Sequence, residues 1–182
     1  ADLAMLYSRR GQHREAETLL NSYAGKISEE KRLNLLITVY DKAGRYEELV
    51  GVLDKAIAAA AKPNTKMHYL MRKGNVLSNA LNRPAEALRV YETFLETRRE
   101  NARLLGLPEN DGESASGTVG AIKRSIAFCH YRLGRAAGKE PQEPVTEEER
   151  SAALQHQSEA NALAEELLRV NPDDEFAKGI LD

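Results

Sequence analysis

The chain has 182 residues, 30% of them charged and 42% hydrophobic, with a formal net charge of -2 and a sequence pI near 6.2. This is ordinary globular composition. No run approaches the ~18 apolar residues of a membrane-spanning helix, and the single cysteine, Cys129, excludes an internal disulfide. The first residues, Ala1-Asp2-Leu3, already sit inside a helical pattern without an initiator Met or a signal-peptide pattern. The chain therefore reads as a domain cut from a longer protein, with the cytoplasm favoured as its location.

A first helical hairpin spans about Leu3 to Tyr23, with Gly11 at the turn, where the missing Cβ relieves a left-handed backbone. Ser28 reads as the N-cap of the next helix, and Glu29 and Glu30 suit the positive end of its dipole. From Leu35 to Ile57 the pattern is clearest. Leu35, Leu36, Val39 and Tyr40 share one face before Gly44-Arg45, and Leu49, Val50, Leu53, Ala56 and Ile57 share another after it. Lys62-Pro63-Asn64 breaks the second of these helices, with Asn64 as the expected cap of the next. Pro84 falls at a helix start, where its missing N–H costs little.

That helix continues through Leu95 to Leu105, and a polar loop follows at Pro108–Ser114. Another helix is expected around Ile126–Arg135, then an insertion at Gly138–Pro144. Thr146 with Glu149 forms a capping-box pattern that opens a long helix to about Val170. Asp174 to Leu181 is a short exit helix with apolar Phe176, Ile180 and Leu181. Buried against the last hairpin it would be a cap; exposed, it would call for another repeat or a partner.

A two-helix hairpin buries too little surface to stand alone, and the chain supplies copies. Tyr7 and Tyr40, Gly11 and Gly44, and Leu20 and Leu53 are each 33 residues apart. Weaker copies carry Gly74, Leu77, Ala87, Tyr91 and Phe94, then Gly134, Ala160 and Asn171-Pro172-Asp173-Asp174. The chain resembles the tetratricopeptide repeat family, with its period of ~34 residues. In that family a small residue and an aromatic pack the first helix, a Gly closes the turn, an Ala lies in the second helix and a Pro follows. Ala4, Tyr7, Gly11 and Ala16 fit, as do Tyr40, Gly44, Tyr46 and Ala56. The chain departs from the pattern in having no Trp, in carrying Leu49 where a small residue is usual, and in a Gly74-to-Ala87 spacing that predicts one extra residue in the turn.

The resemblance implies an all-α fold: a right-handed solenoid of about four antiparallel helix pairs and a capping helix, in one domain over 1–182. The repeats fall at about 1–26, 28–62, 64–105 and 117–172, with insertions at 106–116 and 135–145 and the cap at 173–182. About nine helices are expected.

Enzyme chemistry finds little support. There is no phosphate loop, zinc spacing or nucleophile elbow. Cys129 and His130 are adjacent, so on a helix they point about 100° apart, and His130 falls on the packing position of Tyr7 and Tyr40. His13, His68 and His156 show no ligand spacing, and neither cofactor nor metal is expected. Nucleic acid is disfavoured by the pI and by an aromatic content of only 5%. Charge is uneven: from Glu140 onward twelve residues are acidic and three basic, against 16 and 23 before it. Such asymmetry can orient a partner without defining a fold.

What remains is a non-catalytic scaffold whose first-helix faces line a concave groove for a peptide or partner protein. By the family alignment the groove-facing residues are Met5, Ser8 and Arg9, then Lys31, Asn34, Thr38 and Asp41, then Arg72, Asn75 and Asn79, then Arg124, Phe128 and Tyr131. Met5 stands where some members use an Asn to hold a carboxylate tail, which sets that specialised role aside. Arginines beside Phe128 and Tyr131 would suit an acidic peptide with one apolar anchor. Phe128 could instead pack against the long helix from Thr146. The competing function is a structural or homo-oligomerising segment of a larger protein.

Overall fold

The computed structural model describes residues 2–105, 118–136 and 146–182. Nine α-helices and no strand occur among them: α1 (Asp2–Arg9), α2 (His13–Ser22), α3 (Glu29–Ala43), α4 (Tyr46–Ala59), α5 (Pro63–Asn75), α6 (Pro84–Leu104), α7 (Thr118–Ala136), α8 (Glu147–Val170) and α9 (Glu175–Leu181). The expected polar loop at Pro108–Ser114 and the insertion at Gly138–Pro144 lie outside the described residues. The chain forms two compact units, Ala1–Leu81 and Asn82–Asp182.

In unit 1, successive helices pack on their neighbours: α1 on α2, α2 on α3, α3 on α4 and α4 on α5. One core runs through it, built from Ala4, Ala16, Leu20, Leu33, Ile37, Val39, Leu49, Leu53, Ala56 and Tyr69. Both repeat glycines take the expected left-handed turn. Gly11 has φ +77° and Gly44 φ +65°, a region that excludes most side-chain-bearing residues. The Gly44 amide donates to the Asp41 carbonyl, and the Arg45 amide donates to that of Tyr40, closing the end of α3. Ser28 caps α3 by accepting from the Lys31 amide at 3.3 Å. A latch then ties α2 to α3. Tyr40 Oη donates to Glu17 Oε1 at 2.7 Å, and Arg45 donates to Glu17 Oε2 at 2.5 Å. Burial together with this hydrogen bond pushes the Tyr40 phenol up to about 12.

Two expectations are corrected here. The cap before α5 is Lys62 and not Asn64, because the helix starts at Pro63, whose ring has the helical φ and no N–H to satisfy. The extra residue of the third repeat does not lengthen a turn. It is absorbed at the end of α5 in a π-helical segment, Val76–Ala80, where the Leu81 amide reaches back to the Val76 carbonyl at 3.0 Å. This wider turn buries Val76, Leu77 and Ser78.

Unit 2 packs α6 on α7, α7 on α8 and α8 on α9. Thr146 and Glu149 make the full capping box, each accepting from the other's amide. The α7–α8 seam is lined with small residues. Ala127, Ala160 and Ala164 are fully buried, with Leu167, Ala177 and Ile180 beside them. At Gly134 a Cβ would meet Gln157 Oε1 at 3.2 Å and the Ala153 carbonyl at 3.3 Å, so this residue lets the two helices approach closely. The exit helix α9 buries Ala177 and Ile180 against the α7–α8 pair and leaves Phe176 and Leu181 exposed.

Candidate functional site

The candidate groove residues of the second to fourth repeats fall in both units. In unit 1 they form a polar stripe across α3 and α5. Lys31, Asn34 and Asp41 are exposed on α3 at near-helical spacing. Two cross-links join this stripe to α5: Tyr69 Oη donates to Asn34 Oδ1 at 2.8 Å, and Arg72 Nη2 donates to Asp41 Oδ2 at 2.8 Å. Asn75 and Asn79 are exposed farther along, the latter on the π-helical segment. Ser8, expected to face the groove, is buried in α1 instead. It is small enough to fit there between packed helices, and a family alignment by position does not distinguish that.

A hollow of about 170 Å³ lies where α3, α4 and α5 converge. Leu33, Ala56 and Tyr69 form its apolar wall, and Glu30, Lys62 and Thr65 also line it. Tyr69 is shared between this hollow and the polar stripe, because it lines one and its hydroxyl joins the other.

In unit 2 the three candidates are engaged within the unit. Arg124 donates to Asp174 Oδ2 from Nε at 2.9 Å and from Nη2 at 2.6 Å. Asp174 in turn caps α9 through the Ala177 amide. Burial alone would raise the Asp174 pKa, but the Arg124 guanidinium and the capped amide outweigh it and hold the carboxyl below its ordinary value. Phe128 is half-buried, its ring 6.2 Å from that of Phe176 on α9, with the Arg132 guanidinium 5.4 Å from its centre on α7. Tyr131 packs on the alanine seam and accepts from Arg135 at 2.6 Å.

Unit 2 also holds a group that sequence spacing did not reveal. His130 on α7 meets His156 and Glu159 on α8, with the two Nδ1 atoms 2.9 Å apart. Glu159 Oε2 lies 2.9 Å from the first Nδ1 and 3.6 Å from the second. Burial outweighs the nearby carboxylate and, with His156 opposing a second positive charge, lowers the His130 pKa below the ordinary histidine value. Sequence spacing alone places His130 at a packing position and gives His156 no ligand partner. The spacing is supplied by the α7–α8 pairing, 26 residues apart in sequence, and only the i, i+3 pair His156 and Glu159 could have hinted at it.

Residues 33–67 match the tetratricopeptide repeat family model, which places a repeat of that family on α3, α4 and the start of α5. Repeats of this kind serve in general as protein-interaction scaffolds. Among solved structures, the chain is similar to a protein of nearly identical TPR-like repeats from Podosopora anserina, a candidate kinesin light chain. Identity is 16% and the TM-score 0.48, over 99% of this chain and 89% of that one. A singly substituted form of the same protein gives 15% and 0.49, over 99% and 88%. No curated protein matches the chain. Among the described residues no helix is long and apolar enough to cross a membrane.

Proposed function

We propose that the chain is a non-catalytic scaffold that holds an extended segment of a partner protein along the α3–α5 face of unit 1. The observation that carries this reading is the shared Tyr69. A polar stripe able to hydrogen-bond a backbone and a hollow able to take one apolar side chain meet at this residue. Lys31 and Arg72 give the stripe cationic groups, so a ligand with acidic residues around one apolar anchor fits best. The Arg72–Asp41 pair is half-exposed and can exchange partners at small cost. Selecting ligands for the full chain from a displayed peptide library tests this. Binding of the selected peptides should fall in Asn34→Ala and Lys31→Glu. Ligands indifferent to both substitutions would overturn the reading.

A self-associating segment is the second reading. Leu3 and Leu6 on α1 are half-exposed, and a shallow hollow between Tyr7 and Leu19 adjoins that helix pair. Light scattering over a concentration series separates the two, since a monomer at high concentration removes the second.

A further inference from the structure

We propose that His130, His156 and Glu159 form a binding site for a divalent transition-metal ion of the zinc type, which clamps α7 to α8. The cause lies in the seam. Gly134, Ala127 and Ala160 let the two helices approach closely enough for an imidazole from each to meet. His156 and Glu159, three residues apart on α8, present their polar atoms on one face. Three donor atoms then stand in a triangle of sides 2.9, 2.9 and 3.6 Å. Just off its plane, on either side, a point lies roughly 2 Å from all three, the distance at which zinc bonds imidazole nitrogen and carboxylate oxygen.

The donor set fits the same ion. Two imidazoles and one carboxylate suit a borderline cation better than Mg²⁺ or Ca²⁺, which take mostly oxygen ligands. His130 is 9% exposed at its side chain and forms the floor, whereas His156 and Glu159 are 29% and 41% exposed. The ion can therefore enter from the solvent side, and a water molecule completes four-coordination there. A site with three protein ligands and one open position exchanges its metal more readily than a closed four-ligand site. Its effect would be to tie the two helices that flank residues 137–145.

The test uses the full chain after chelator treatment. Titration with ZnCl2 should show one ion bound per chain, and the melting temperature should rise by roughly 5–10 °C at a hundredfold excess over the dissociation constant. MgCl2 should give no rise. Co²⁺ should develop the visible absorption of a four-coordinate nitrogen–oxygen site. His156→Ala and Glu159→Gln alter half-exposed residues and should keep the fold, while weakening Zn²⁺ binding by at least about tenfold. Equal Zn²⁺ binding in both variants, or no bound ion in the unaltered chain, would overturn the proposal. Because the site lies in unit 2, either outcome leaves peptide binding on unit 1 to its own experiment.

Discussion

Arg124 on α7 directs two N–H groups at one carboxylate oxygen of Asp174, whose other oxygen caps α9. One arginine thereby holds the side chain that starts the exit helix. Arg124→Ala should destabilise unit 2 by about 1–3 kcal/mol, the usual cost of leaving a buried charged group short of a partner. The pH dependence follows from the lowered Asp174 pKa. A depressed folded-state pKa stabilises above the unfolded value and loses that contribution as pH falls through the folded one. Asp174→Asn keeps a capping side chain and removes the charge. The stability gap between the two proteins should be full near neutrality and shrink below pH ~4. Urea melts at several pH values measure it; a gap that grew on acidification would show the ionised form is not the favoured one.

Gly44→Val tests the turn of the α3–α4 repeat. An added Cβ meets nothing within 4 Å, so any cost comes from the backbone and not from crowding. At φ +65° a β-branched residue is strained, and the loss should be about 1–3 kcal/mol. Gly44→Asn should lose less, since Asn tolerates this region. An unchanged melting temperature in Gly44→Val would refute the left-handed turn.

Such local features were legible in the sequence because a few neighbouring residues determine them. Gly44 at its turn, Ser28 at its cap, Thr146 with Glu149 and Pro84 at N1 need only short-range sterics and hydrogen bonds. Lys62 was missed because two capping rules competed, and the proline at N1 prevailed over the Asn side chain. The extra residue before Ala87 was visible, but it was expected in the turn, whereas the helix end widens around the buried Val76 and Leu77. The His130 group was not legible. Its members meet through the register of α7 against α8, which small residues on both helices set together. The candidate groove residues came from the family alignment, whereas the Asn34–Tyr69 and Asp41–Arg72 cross-links depend on how neighbouring pairs stack.

Phe128 is neither a free anchor nor a fully buried one. Its ring rests on Phe176 and under Arg132. Fully buried Phe→Ala changes cost ~3–5 kcal/mol, so a half-buried ring should lose roughly 1.5–2.5. Phe176→Ala should cost a similar amount, and the double variant should show coupling of about 0.5–1.5 kcal/mol between the two rings. Chemical denaturation of the four proteins closes the cycle. Strict additivity would mean that the ring pair contributes nothing beyond burial.

The Asp41–Arg72 pair links α3 to α5 on the proposed binding face, and its side chains are 49% and 32% exposed. Water screens such a pair, so breaking it should change stability by less than about 1 kcal/mol. Its value would lie in holding Arg72 on the stripe until a ligand replaces Asp41. Arg72→Ala should therefore leave the melting temperature nearly unchanged and lower affinity for a selected acidic peptide. Asp41→Ala removes a competitor for the guanidinium, so the same peptide should bind more tightly. Opposite signs from two partners of one ion pair are the signature of a ligand that replaces Asp41 on Arg72. If Asp41→Ala instead weakened binding as much as Arg72→Ala, the intact pair, and not a released arginine, would be what the ligand recognises. The proposed exchange would then be wrong.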